Sequence, residues 1–101
     1  MRLMEKIAAA IPRQEDAELE LFGQKFQVKV LVCSMADYNR RMKCFDGDAK
    51  AIAAEMSGWF FDEDGEPAFA PDDFDNLPAA TIKDLVALFA RVNVGTDTKN
   101  V

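Results

Sequence analysis

Two stretches of alternating apolar and polar residues, Ala17 to Phe22 and Lys25 to Val32, flank the pair Gly23-Gln24. Alternation with a period of two is typical of β-strands that bury one face. Glycine suits the first central position of a two-residue hairpin turn because it reaches a positive φ without steric cost. The pattern therefore predicts a β-hairpin with a positive φ at Gly23. In the register set by this turn, the facing pairs are Leu21 with Phe26 and Leu19 with Val28 on the apolar face, and Glu20 with Gln27 and Glu18 with Lys29 on the polar face.

A short amphipathic helix is predicted at the start of the chain, over Met1 to Ile11, with Pro12 as its end. Its apolar residues share one face and are Leu3, Met4, Ile7, Ala8 and Ile11. This face either packs on the protein's own core, which we favour, or belongs to a mobile arm that docks on a neighbouring molecule. In the second interpretation Leu3 and Ile7 are candidate partner-binding residues.

Capping residues mark the remaining helices. Ser34 begins a helix with the apolar stripe Met35, Tyr38 and Met42, and Asp48 begins a helix that Gly58 ends. Pro71 opens a helical turn that runs to about Leu77, because proline is favoured at the first helical position. Pro78 opens the longest helix, which ends at Asn93-Val94-Gly95 and has a predicted buried stripe of Ile82, Leu85, Val86, Phe89 and Val92.

Three consecutive aromatic residues, Trp59-Phe60-Phe61, precede an acidic turn at Asp62 to Gly65 and a second extended piece at Pro67 to Phe69. Alternation along an extended segment sends Phe60 to the face opposite its neighbours. Either all three aromatic residues belong to the core, which we favour, or at least one anchors a partner protein. Trp59, Phe60 and Phe61 are therefore candidate partner-binding residues.

The length of the chain, 101 residues, is that of one domain, and half of the residues are hydrophobic, as in folded proteins. The predicted fold class is α+β: a small N-terminal β-hairpin with a mainly helical remainder, in a single domain over residues 1–95. Residues 96–101 are predicted to form a disordered polar tail.

Charge and cysteine content argue against several kinds of partner. A net charge of −6 has the wrong sign for holding a phosphate backbone, so nucleic acid is not an expected partner. Cys33 and Cys44 lack CxxC spacing and the sequence has no His, so no metal site is expected and reduced thiols are favoured. The apolar runs fall short of the ~20 residues of a membrane span, so no membrane is expected either.

The sequence contains no Gly-rich phosphate loop and no nucleophile beside a base, so neither enzymatic activity nor a cofactor is expected. The remaining candidates for a catalytic acid pair are carboxylates, namely Asp62, Glu63, Asp64, Asp72 and Asp73. Their positions in a solvated turn and at the start of a helix explain these residues better than catalysis does. A calcium loop built around Gly65 places Phe60 and Pro71 at ligand positions, and neither side chain can bind calcium.

The stretch Trp59 to Phe69, followed by Pro71-Asp72-Asp73 and the helix Ala79 to Asn93, resembles the tail assembly chaperones of long-tailed bacteriophages. The hairpin and the segment Ser34 to Tyr38 look like the front half of the same proteins. The resemblance therefore covers most of residues 17–95, and its order and spacing carry more weight than any single motif.

This resemblance implies a non-enzymatic protein of the host cytoplasm that binds the tape-measure protein and tail-tube subunits during tail assembly and is absent from the finished virion. It also implies self-association into rings or helical multimers and, in many members, a longer frameshifted product. Two alternatives stay open. One is a small structural or tail-completion protein retained in the virion, and the other is an acidic inhibitor or regulator of a host protein.

Overall fold

The computed structural model describes residues 2–95, so the predicted disorder of residues 96–101 lies outside the described part of the chain. The elements, in order, are α1 (Leu3–Ala10), β1 (Gln14–Leu21), β2 (Gln24–Leu31), α2 (Met35–Met42), α3 (Ala49–Met56), β3 (Phe60–Phe61) and α4 (Ala79–Val94), with 3-10 helices at Lys43–Asp46 and Pro71–Asn76. The strands form an antiparallel sheet in the order β1-β2-β3. The predicted α+β class, a hairpin followed by a mainly helical remainder, is confirmed.

The hairpin is present, with its turn one residue earlier than predicted. Phe22 and Gly23 are the two central residues and have φ angles of 55° and 76°. The positive φ at Gly23 is confirmed, but Gly23 occupies the second central position. Turns with positive φ at both central positions match the right-handed twist of paired strands, and this match outweighs the preference of phenylalanine for negative φ.

The strand register is shifted by two residues from the predicted one, which was wrong. Leu19 faces Phe26 instead of Val28, and Lys29 faces Asp16 instead of Glu18. The Lys29 ammonium lies 2.9 Å from an Asp16 carboxylate oxygen. A shift of two residues leaves every side chain on its original face, so the apolar and polar faces are as predicted.

The acidic turn also forms as predicted. Its two extended pieces meet at a bridge between Phe61 and Pro67, and β3 pairs with β2. Asp62 closes the turn, because its Oδ1 accepts hydrogen bonds from the backbone N–H groups of Asp64 and Glu66 at 2.9 and 3.0 Å. This carboxylate therefore has a structural role in the turn.

The predicted helix caps are confirmed. The Ser34 hydroxyl accepts a hydrogen bond from the Asp37 N–H at 3.1 Å, and an Asp48 carboxylate oxygen accepts one from the Ala51 N–H at 2.9 Å. Gly95 ends α4 with a φ of 67°. Across residues 2–95, no helix combines the length and the apolar character that a bilayer crossing requires.

The core lies between the sheet and α4. Its buried residues are Leu19, Val28, Val30, Met56, Trp59, Phe60, Phe74, Leu85, Leu88 and Phe89. The Trp59 and Phe89 rings stack with 4.0 Å between their centroids. On α4 the most buried side chains are Thr81, Leu85, Leu88 and Phe89, whereas Ile82, Val86 and Val92 of the predicted buried stripe are only half-buried. The outer side of α4 is therefore open.

The N-terminal helix forms, but the favoured interpretation that it packs on the protein's own core was wrong. None of the α1 residues is buried, and the exposed fractions of Leu3 and Ile7 are 72% and 46%. Only Ile11, Pro12 and Arg13 connect α1 to β1, and the Arg13 carbonyl accepts a hydrogen bond from the Val32 N–H at 3.0 Å. The anchored connector holds α1 beside the start of the sheet, away from the core.

Candidate protein-binding groove

An apolar groove of about 600 Å³ runs along the outer side of α4. It is lined by Phe45, Ala79, Ile82, Lys83, Val86, Ala87 and Ala90. The six lining residues of α4 recur at three- and four-residue intervals, which places them on one helix face. Three of the six are alanines, whose short side chains let another backbone approach closely. We call this surface the α4 groove.

Phe45 forms the wall of the α4 groove opposite the helix. It belongs to the 3-10 helix at Lys43–Asp46, is 40% exposed, and packs edge-on against Trp59 with 6.3 Å between ring centroids. One edge of the Phe45 ring is thus fixed by the core while the other faces the groove. A ring held in this way loses little conformational freedom when it contacts a partner.

A smaller depression of about 210 Å³ adjoins the α4 groove. It lies between α3 and the 3-10 helix at Pro71–Asn76, and its apolar lining includes Ile52, Met56 and Phe74. Ile82 lines both depressions, so they form one continuous surface. Together they offer the pattern of adjacent pockets into which an amphipathic helix inserts its side chains.

A network of charged side chains holds the two helices that flank Phe45. The Arg41 guanidinium of α2 donates to Asp37 at 2.9 Å and to Glu55 of α3 at 2.8 Å. Glu55 Oε2 also accepts the Trp59 Nε1–H at 2.8 Å. Because the 3-10 helix that carries Phe45 lies between α2 and α3, this network fixes one wall of the α4 groove.

The hydrogen bond from Arg40 to Asp37, together with the one from Arg41, lowers the pKa of Asp37 from its ordinary value of 3.8 to about 2. A carboxyl group whose pKa falls on folding stabilises the protein above its unfolded-state pKa, and this contribution disappears as the pH falls through the folded-state pKa. We therefore expect wild-type protein to lose more stability than Asp37→Asn between about pH 5 and pH 2. Urea unfolding at a series of pH values measures the difference.

Asp84→Asn is the control for this pH dependence, because Asp84 is exposed on α4 and takes no part in the Arg41 network. This control is expected to follow the wild-type curve. If Asp37→Asn lost as much stability on acidification as wild type, the ion network would not be a source of acid sensitivity.

The residues that line the α4 groove provide mainly apolar contacts. Among the seven lining residues Lys83 alone is charged, and none is a nucleophile. The thiols of Cys33 and Cys44 lie outside the groove and are unbonded to each other, and burial raises the pKa of each. A raised pKa keeps a thiol protonated and weakly nucleophilic at neutral pH.

Across residues 2–95, no three His, Cys, Asp or Glu side chains are grouped closely enough to hold a metal ion.

The sequence-based candidates for partner binding lie in two different environments. Trp59 and Phe60 have no exposed surface and cannot act as surface anchors, because Phe89 covers Trp59 and Phe69 covers Phe60. Phe61 is half-buried beside β2. Leu3 and Ile7 are exposed on α1, and the structure does not bring them together with the aromatic residues.

The α4 groove itself was not predicted from the sequence. Ile82 and Val86 were assigned to the core, and Phe45 was assigned no role. The α4 groove is therefore the candidate partner-binding surface of the described structure. Comparisons of the chain with protein families, with curated proteins and with solved structures found no match.

Proposed function

We propose that this protein is a non-enzymatic tail assembly chaperone of a long-tailed bacteriophage, and that its α4 groove binds an amphipathic helix of the tape-measure protein. The supporting observation is the groove itself, in which six of seven lining residues are apolar and which remains open on the folded domain. In this role the protein acts in the host cytoplasm, has tail-tube subunits as further partners, and is left out of the finished virion.

The dimensions of the groove suit a helix. Ala79 and Ala90 mark its ends on α4, and a rise of 1.5 Å per residue gives a length of about 16 Å, or three helical turns. A partner helix of that length presents apolar side chains at i, i+3, i+4 and i+7, the usual anchors of a helix bound in a groove. The many similar apolar faces of a long helical client would fit such a site in succession.

Charge favours the same kind of partner. The chain carries a net charge of −6, and a field of that sign accelerates the approach of a helix with a basic polar face. Lys83, exposed in the groove, supplies one ammonium that can pair with a carboxylate on the bound helix. Apolar contacts would then provide the affinity, and the charges the association rate and orientation.

The test is coexpression with a tape-measure protein, which on this proposal is encoded by a neighbouring gene. Ala87→Glu places a carboxylate in the α4 groove at an exposed position, so the fold is expected to tolerate it. We expect coexpression with this variant to yield about tenfold less soluble tape-measure protein than coexpression with wild type. The reason is that binding would then require a charge to be desolvated in an apolar contact. Affinity capture of the complex and thermal unfolding of the free variant measure binding and folding separately.

Ala80→Glu is the matched control, since it adds the same charge to an exposed position of the same helix outside the groove. It is expected to retain wild-type binding. A tape-measure protein that is equally soluble without this chain would overturn the chaperone proposal. If the client needs the chain but Ala87→Glu binds it normally, the chaperone role stands and the groove is not its site.

A further inference from the structure

β1 forms an open edge of the sheet, because the strand order is β1-β2-β3 and residues 2–95 supply no strand beyond β1. The backbone groups of paired antiparallel strands point alternately toward the partner strand and away from it. The Val32 N–H donates to the Arg13 carbonyl, whereas the adjacent Leu31 N–H donates to the Trp59 carbonyl on the other side of β2. Continued along the hairpin register, this alternation turns the N–H and C=O groups of four residues to the open edge; they are Gln14, Asp16, Glu18 and Glu20.

Acidic side chains accompany these outward backbone groups. β1 contains four carboxylates and no Lys or Arg, so the strand has a net charge of −4. Three of the carboxylates are exposed on the polar face of the sheet, at Asp16, Glu18 and Glu20. On the opposite face, Ala17 and Leu21 are half-buried apolar residues at the margin of the core. We call the outer side of Gln14–Leu21 the β1 edge; it presents carboxylates on one face and apolar surface on the other.

We propose that the β1 edge binds an extended segment of another protein, in which basic residues alternate with apolar ones, as a fourth strand of the sheet. Main-chain hydrogen bonds supply the affinity in this mode of recognition, and alternate side chains supply the specificity. The added strand is antiparallel, as are the other pairs in the sheet. Its basic residues then lie directly opposite Asp16, Glu18 and Glu20 and exchange main-chain hydrogen bonds with them, and its apolar residues cover Ala17 and Leu21.

The carboxylates of the β1 edge remain available to such a partner. Lys29 lies 2.9 Å from Asp16, yet the Asp16 side chain is 80% exposed. Lys25 lies 3.5 Å from Glu18, whose side chain is 49% exposed. Within residues 2–95, Glu20 takes part in no ion pair. A basic side chain on the added strand can therefore reach each of the three carboxylates.

Charge also decides against a second copy of β1 as the added strand. Two β1 strands paired with each other would bring four carboxylates from each copy onto adjacent rows. Like charges that face each other across strands are destabilising, and charged side chains on an edge commonly prevent the pairing of identical edges. The occupant that fits is a strand of opposite charge.

The β1 edge is separate from the α4 groove, because no residue of β1 lines that groove. Strand binding therefore goes beyond the proposed function and does not depend on it. Ala87→Glu, which tests the groove, is expected to bind a basic strand as wild type does. The chaperone proposal and the strand proposal can thus fail independently of each other.

Fluorescence anisotropy with a labelled eight-residue peptide in which Lys and Val alternate tests the proposal. Backbone N-methylation separates strand pairing from charge attraction, because it leaves every side chain unchanged. In the antiparallel arrangement the lysine N–H groups face β1 and the valine N–H groups face away. N-methylation of the lysines is expected to weaken binding about tenfold or more, and N-methylation of the valines to leave it within about twofold. Any other order of the three peptides, or no binding of the unmodified one, would contradict the proposed pairing.

Neutralisation of the β1 edge is the matching test on the protein. The double variant Glu18→Gln with Glu20→Gln is expected to bind the unmodified peptide about tenfold more weakly than wild type. Asp72→Asn with Asp84→Asn is the matched control, because it makes the same change of net charge at exposed positions outside β1. Thermal unfolding checks that both variants fold. Equal weakening by the two variants would mean attraction to net charge alone and would refute a site at β1.

Amide hydrogen exchange locates the bound strand. In the free protein the outward N–H groups of Asp16, Glu18 and Glu20 are expected to exchange quickly, and those of Ala17 and Leu19, which face β2, to exchange slowly. Saturation with the Lys-Val peptide is expected to slow the outward set about tenfold or more. Protection at α4 in place of β1 would assign the peptide to the groove and refute the proposal. Outward amides that are already slow without peptide, to an extent that rises with protein concentration, would show that a second copy occupies the edge instead.

Discussion

Trp59→Ala is expected to lower the free energy of unfolding by about 3–5 kcal/mol, a large part of the stability of a domain of this size. The Trp59 side chain has no exposed surface and stacks on Phe89 with 4.0 Å between ring centroids. Phe45 and Phe60 pack against it edge-on, each with 6.3 Å between centroids. Truncation therefore removes contacts to the sheet, to α4 and to the wall of the α4 groove at once.

Urea unfolding followed by far-ultraviolet circular dichroism measures this loss, because the variant lacks the tryptophan fluorescence signal. Trp59→Phe separates packing from hydrogen bonding: it keeps a ring and removes the donor to Glu55, at an expected cost of about 1–2 kcal/mol. Met35→Ala is the exposed apolar control, at 83% exposure, and is expected to change stability by about 0.5 kcal/mol or less. Equal effects of Trp59→Ala and Met35→Ala would contradict the assignment of Trp59 to the core.

The features that were predicted correctly from the sequence are local ones. The caps at Ser34 and Asp48 depend on residues three positions apart, and the hairpin faces depend on alternation within one strand. The strand register could not be predicted from alternation alone, since it depends on which two residues form the turn. Phe22 adopts a positive φ that is unusual for an aromatic residue, and no nearby residue indicates this.

The errors on α1 and on α4 both concern what covers an apolar surface. The pattern of α1 identifies its apolar face, with Leu3 and Ile7, but contains no information on what lies against that face. For the three consecutive aromatic residues, the favoured interpretation that they belong to the core holds for Trp59 and Phe60, and the residue that covers Phe60 is Phe69, from a segment beyond the acidic turn. Coverage depends on tertiary contacts, which periodicity does not describe.

The α4 groove illustrates the same limit on one helix. The apolar residues of α4 occupy more than one face, which could have indicated a second contact surface besides the core. Periodicity alone did not show that Leu85 and Phe89 face inward while Ile82 and Val86 border the groove. The opposite wall, Phe45, comes from a segment more than thirty residues away in the chain, so the complete site required the structure.

Asn93 is the second residue whose replacement should have a large effect, and it was predicted only to help end α4. Its Nδ2 donates to the carbonyls of Leu31 at 2.9 Å and Phe89 at 3.1 Å, and its Oδ1 accepts from the Cys33 N–H at 2.6 Å. The amide thus joins the end of α4 to the end of β2. Asn93→Leu leaves partly buried backbone groups without partners, and we expect it to lower the free energy of unfolding by about 2–4 kcal/mol.

Asn93→Asp tests whether this effect comes from the amide donor. A carboxylate can still accept from Cys33, but it cannot donate to the Leu31 carbonyl and repels that oxygen. Protonation restores a donor, so the deficit of Asn93→Asp relative to wild type should shrink as the pH falls. Asn39→Asp, at an exposed position, is the control for the added charge. If the Asn93→Asp deficit were the same at neutral and acidic pH, shape and not hydrogen bonding would explain why Asn93 holds α4 to the sheet.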